Sequence, residues 1–167
     1  MLVGVPEAEP VVGRWRLEHT LDGRLGIPAH VTLLVPFVPS SRVEEARPRL
    51  AELVGATPAF EAAFPRTGRF PGVLYLAPEP AAPFAALTEA IATAWPEHPP
   101  YEGAHDTIVP HLTVAESKAD EPLLTRIAAQ VEPHLPLATA VREASVFVED
   151  EQGNWHEHVR LPLGEAS

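Results

Sequence analysis

The stretch PAHVTLLVPF, residues 28–37, is answered 81 residues after its histidine by VPHLTVAE, residues 109–116. Both carry His-x-Thr-apolar behind a proline-containing approach. Read as strands, residues two apart share a face, so His30, Thr32 and Leu34 project to one side and Val31, Leu33, Val35 and Phe37 to the other, which is core. The second copy sets His111 and Thr113 against Leu112 and Val114 in the same way. With eight histidines in 167 residues and 46 % apolar content, about 0.2 matches to this pattern are expected by chance. The duplication therefore decides how the rest of the chain is read.

Working outward, LVGVP opens as a short strand, and VVGRWRLEHTL reads as a short helix interrupted early by Gly13. SRVEEARPRLAELVGA begins with a capping-box pattern, Ser41 with Glu44 three residues on, and closes at Gly55. Pro48 within it predicts a kink or a broken first turn. AFEAAFPRTGRFPGVLYLAP reads as a hairpin around a turn region RTGRFPG, with Val73, Tyr75 and Ala77 alternating against Leu74 and Leu76. PAAPFAALTEAIATAW places Phe84, Leu87, Ile91 and Ala94 at helical spacing, and ADEPLLTRIAAQVEP is a second such helix with Leu123, Leu124, Ile127, Ala128 and Val131 on its apolar face. AVREASVFVED is expected to turn through EQGN into WHEHVRLPL, with Trp155, Val159 and Leu161 on one face and His156, His158 and Arg160 on the other. Each half then runs strand, helix, two strands. We expect one domain over 1–167, made of approximate repeat halves 1–80 and 81–167 whose lobes interleave.

Composition sets limits. The apolar fraction and a mean hydropathy near zero are those of a folded globular chain. No run is long and apolar enough for a bilayer span, and the first ten residues lack the basic start and apolar stretch of an export signal, so no membrane association and a cytoplasmic location are expected. Zero cysteines remove disulfides, thiolate catalysis and Cys-ligated zinc. A formal charge of −11 repels long polyanions such as duplex DNA, while leaving room for a small phosphorylated ligand or a single RNA end. Gly-rich phosphate loops, HExxH helices and Gly-x-Ser-x-Gly turns are absent from the sequence.

Two imidazoles and two hydroxyls presented to one cleft suit phosphodiester cleavage by general acid and base without a metal. One His takes a proton from water or a ribose hydroxyl, and the other protonates the leaving oxygen. An unperturbed imidazole titrates near pH 6.5, within reach of both duties. The threonines donate to the non-bridging oxygens, where charge builds in the transition state. A binding module that holds a nucleotide or phosphorylated RNA end without turnover would use the same cleft, and a purely structural two-lobed domain would use neither histidine.

On HVTLLVPF and PHLTVAE, with support from RFPGVLYLAPEP, PPYEGAHDTIVPHLTVA and GNWHEHVRLPLG, the chain resembles the two-histidine (2H) phosphoesterase superfamily and, within it, the 2′-5′ RNA ligase-like family. The resemblance implies an α+β, bilobal fold of two pseudo-twofold-related antiparallel sheets with flanking helices and a central cleft. It implies activity on 2′,3′-cyclic phosphates or 2′-5′ linkages, carried by His30, Thr32, His111 and Thr113, with no cofactor and no metal. The expected partner is a small phosphorylated nucleotide or an RNA end, and the expected state a monomer. His105 stands where the family pattern leads us to expect an aromatic residue.

Other candidates are weighed beside the motif. Arg69, in the turn region, could hold a phosphate by a charge-assisted hydrogen bond. Phe70 and Tyr101 could stack on a base. His98 and His105 flank a loop near the second motif. His156 and His158 share a strand face as metal ligands would, but lack a third ligand at a telling spacing, so a solvated edge is expected.

Overall fold

The computed structural model describes residues 1–99, 107–118 and 120–165. Among these, eight strands form two four-stranded antiparallel sheets. They are β1 (Leu2–Gly4), β2 (His30–Thr32), β3 (Phe60–Phe70), β4 (Val73–Glu79), β5 (Leu112–Glu116), β6 (Leu137–Val141), β7 (Glu143–Glu149) and β8 (Trp155–Pro162). The helices are α1 (Glu9–His19), α2 (Leu21–Arg24), α3 (Val43–Gly55), α4 (Ala82–Ala94) and α5 (Glu121–Val131). None of them is long and apolar enough to cross a membrane.

One sheet runs β2-β1-β7-β8 and the other β5-β4-β3-β6. Each histidine strand is thus an edge strand beside the strand that precedes it in sequence, with a helical crossover between: β1 to β2 through α1 and α2, β4 to β5 through α4. The two edges, β2 and β5, lie against each other. From its histidine strand on, the first half runs β2, α3, β3, β4, whereas the second runs β5, α5 and then three strands, β6, β7 and β8. The first sheet draws β1 and β2 from the beginning of the chain and β7 and β8 from its end, so neither half owns a sheet. The expected C-terminal hairpin forms from β7 and β8, turning through residues 150–154, but Ala140 and Val141 at its expected start belong to β6 instead. Residues 137–141 pair with β3 in the second sheet, and the chain crosses at Arg142 into β7 and β8 of the first.

Helical faces follow the apolar spacing. In α3 Val43, Ala46, Leu50 and Val54 are buried, in α4 Phe84, Leu87, Thr88 and Ile91, and in α5 Leu124, Ile127, Ala128 and Val131. Each large side chain sealed in this way stabilises the fold by roughly 1.5–3 kcal/mol. The Asp120 carboxylate accepts from the Leu123 amide at 2.8 Å, fixing the start of α5.

Local departures have local causes. Strand β2 ends at Thr32 because the Leu33 and Leu34 amides both donate to the Met1 carbonyl, at 3.0 and 3.3 Å. The alternation is lost there, so Leu33 and Leu34 are both buried while Val35 is 55 % exposed. Helix α1 is not interrupted at Gly13. A Cβ there would collide with the Glu9 carboxylate, which reaches back to accept the Ala29 amide at the entry to β2. The capping box does not form: Arg42 occupies the N-cap of α3 without a side-chain bond, and Glu44 instead meets Arg47 at 3.3 Å and His158 at 3.0 Å. Pro48 lies well inside α3, past its first turn, and the helix runs on to Gly55. The turn of the β3–β4 hairpin is only Pro71–Gly72, with Gly72 at φ 72°, so Arg69 belongs to β3 rather than to the turn.

Candidate active site

His30 begins β2 with 6 % exposure, and His111 immediately precedes β5, half-buried. The two rings are held alike. In each, Nδ1–H donates at 2.7 Å to the carbonyl two residues back, Pro28 for His30 and Val109 for His111. That bond sets the tautomer and turns Nε2, with its lone pair, away from its own backbone. The Arg16 Nη2 also lies 3.5 Å from His30 Nδ1. A guanidinium can only donate and Nδ1 already donates to Pro28, so this approach is not a hydrogen bond. Both groups converge instead on the Pro28 carbonyl, which accepts from Arg16 at 3.3 Å as well.

Burial pushes the His30 imidazole from 6.5 down to about 4, with the Arg16 charge adding to the effect and the Pro28 carbonyl and Asp22 opposing it. Burial lowers His111 too, against the Val109 carbonyl and Glu116. The free imidazoles are therefore neutral at pH 7 and poised as proton acceptors.

Their surroundings differ. The His30 Nε2 faces the Asp22 carboxylate at 3.6 Å. Asp22 is carried on the short α2, where Thr20 Oγ1 donates to the Arg16 carbonyl and accepts from the Gly23 amide, both at 2.9 Å. His111 instead sits edge-on to Phe70 and Tyr75, with centroids at 5.1 and 5.4 Å, and these two rings stack on each other at 4.4 Å. Tyr75 lies opposite Thr113 on β5 and over Gly68 on β3, where any Cβ would overlap its ring. Gly4, opposite His30, has open space where a Cβ would stand.

Thr32 and Thr113 follow their histidines at the spacing that keeps them on the same faces. Both are half-buried, and among the described residues neither hydroxyl has a hydrogen-bond partner. The four motif residues are thus brought together on two abutting edges. Arg69 is not brought to them. Strand alternation turns it to the face opposite Phe70, where it meets Glu121 at 3.5 Å and Thr125 at 3.4 Å on α5. His98 packs on Phe37 at 5.9 Å. His158 bonds Glu44, and no group of three or more metal-ligating side chains occurs among the described residues. Tyr101 and His105 lie outside the described residues.

Two site residues escaped the sequence reading, Arg16 and Asp22. The first left a signal, since Arg16 falls four residues after Val12 and these are the only buried residues of α1. An arginine in the apolar stripe of a helix is a buried cation, and such a cation is rare unless it is partnered. Asp22 left none, because its place depends on how α2 folds back over His30.

Comparisons with known proteins agree with this arrangement. The sequence profile of the 2′-5′ RNA ligase superfamily matches residues 4–153. No curated protein matches the chain. Among solved structures, TT0787 of Thermus thermophilus superposes with a TM-score of 0.68 at 19 % identity, covering 99 % of this chain and 97 % of that one. E. coli LigT complexed with NADP+ gives 0.63 at 18 % identity over 98 % and 95 %. LigT complexed with 3′-AMP gives 0.59 at 16 % over 98 % and 96 %. The profile spans most of the chain, and the two-sheet architecture is that of these neighbours; the chain belongs to the 2′-5′ RNA ligase superfamily, the two-histidine phosphoesterases.

Proposed function

We propose that the protein is a metal-independent phosphodiesterase that opens terminal 2′,3′-cyclic phosphates, or cleaves 2′-5′ linkages, of nucleotides and RNA ends. The observation that carries this reading is the matched Nδ1–H bond of His30 and His111 to the carbonyl two residues back, which leaves two Nε2 atoms to exchange protons. One Nε2 accepts a proton from water as the water oxygen bonds to phosphorus. The bond from phosphorus to one ribose oxygen breaks, and the second imidazole, protonated, gives its proton to that oxygen. A bound phosphate anion raises the proton affinity of the imidazole facing it, which readies the acid although the free ring is neutral. Thr32 and Thr113 hydroxyls donate to the non-bridging oxygens.

Phosphate and 3′-AMP, held by LigT in its crystal structures, support a phosphorylated nucleotide as the ligand here. The Phe70–Tyr75 stack beside His111 offers an aromatic wall to a base. The net charge of −11 favours a nucleotide or single RNA end over a duplex, and we place the protein in the cytoplasm as a monomer. The test is turnover of the four 2′,3′-cyclic mononucleotides in EDTA, resolving 2′- from 3′-phosphate product. Hydrolysis that survives chelation is expected. Tight binding with no turnover of these or of 2′-5′-linked dinucleotides would assign the cleft to a binding module instead.

A further inference from the structure

A protein of net charge −11 that handles a phosphate needs positive potential where the phosphate sits. Among the described residues, the cation bonded to the backbone of both motif segments is neither Arg69, which is committed to Glu121, nor Arg24, which donates to the Glu18 carbonyl, outside both segments. It is Arg16, 2 % exposed on α1. Its Nη1 donates to the Thr113 carbonyl at 2.6 Å, and its Nη2 to the Ile27 and Pro28 carbonyls, each at 3.3 Å. One planar group thereby touches the backbone of β5 and of the segment that leads into β2.

We propose that Arg16 is a positioning residue whose guanidinium straps the approach to β2, at Ile27 and Pro28, to β5, fixing the spacing of His30 and His111 and holding a fixed positive charge behind the phosphate. The inference rests on the phosphodiesterase reading. Several features of the geometry argue for it. The contacts are to neutral carbonyls, with Asp22, Glu9 and Glu116 acting only through space, so the charge is not quenched by a direct ion pair. Burying a guanidinium in this way costs several kcal/mol, which an apolar residue at the same helical position would avoid. The span also demands arginine: a rigid fork reaches carbonyls on β5 and on the approach to β2 at once, whereas a lysine ammonium is a single point. Finally, the Pro28 carbonyl that fixes the His30 tautomer is itself held by Arg16, so the strap acts on that imidazole through one shared oxygen.

The experiment compares wild type, Arg16→Lys and Arg16→Gln by steady-state kinetics on a 2′,3′-cyclic mononucleotide, by affinity for inorganic phosphate, and by NMR titration of His30 and His111. Arg16→Gln is expected to lose about 100-fold in kcat/KM and at least about tenfold in phosphate affinity. Its His30 should titrate higher than in wild type while His111 does not move, because Arg16 faces only the first ring. The other groups acting on His30, namely Asp22 and the Met1 amine, are unchanged between these variants. Arg16→Lys keeps the charge but not the span. Its His30 should titrate as in wild type while kcat falls about tenfold or more with KM little altered. A folded Arg16→Gln with wild-type kcat/KM, phosphate affinity and His30 titration would overturn the proposal. If Arg16→Gln does not fold, a wild-type kcat in Arg16→Lys overturns it. If wild type turns over no cyclic nucleotide, the phosphodiesterase reading fails, and the phosphate affinities and His30 titration still decide the role of Arg16.

Discussion

A histidine and a threonine two residues apart are common on amphipathic strands. What distinguishes His30 and His111 is that each spends Nδ1 on its own backbone and turns Nε2 away from it, that of His30 toward Asp22 at 3.6 Å. In the proposed reaction the hydroxyls of Thr32 and Thr113 form a donor pair for the phosphate. Thr32→Val and Thr113→Val preserve shape and remove the donor, so each is expected to lower kcat about 10- to 100-fold with the protein still folded, measured by steady-state kinetics. The buried imidazole also has a thermodynamic signature. His30 binds its proton less readily when folded than when unfolded, so the unfolded chain gains protons first as pH falls. Stability is whole above pH 6.5 and is lost on descending toward about 4, by up to about 3 kcal/mol. In His30→Gln this portion of the acid loss is expected to vanish, as read from denaturant midpoints at pH 7 and 4.5. At this scale the motif residues were legible because a repeated pattern is improbable by chance. Arg69 was misplaced because its side of the strand depends on a turn shorter than the sequence suggested.

At the scale of elements, small residues decide geometry. Gly68 leaves the room in which the Tyr75 ring lies across β3 and, with Phe70, backs His111. Gly68→Ala pushes that ring aside. We expect a drop in kcat/KM of about tenfold or more together with about 1–3 kcal/mol of lost stability, since the added methyl has no room. Removing the ring with Tyr75→Ala in the Gly68→Ala background should recover stability but not activity. The helices were readable from their apolar spacing, which survives whatever packs on them. The capping box was not, because Ser41 falls within a tight turn before α3 and Glu44 finds Arg47 and His158 instead. The short reach of β2 was equally hidden: it follows from the Met1 carbonyl taking two amides, a contact between residues more than thirty positions apart.

Across the whole molecule, symmetry and sequence order do not coincide. Each sheet places its histidine strand at an edge beside its chain predecessor, and the edges abut, so the proposed chemistry would draw its two like residues from two like sheets. Because β7 and β8 return to complete the first sheet, and β6 completes the second, the halves 1–80 and 81–167 should not fold alone. Expressed separately they are expected to show little far-UV circular dichroism of ordered structure. The sequence predicts both the duplication and interleaved lobes, but not where the chain changes sheets, since nothing local marks Arg142 as that residue.

The central claim is that the two histidines act as one acid-base unit. It is tested most directly by kcat/KM on a 2′,3′-cyclic nucleotide for His30→Ala, His111→Ala and the double variant. Each single change is expected to lower the rate about 10³-fold, with the double variant little worse than either, because a pair that works in one step is lost with its first member. A single variant that keeps its rate within a few-fold of wild type, or losses that multiply in the double variant, would contradict the account.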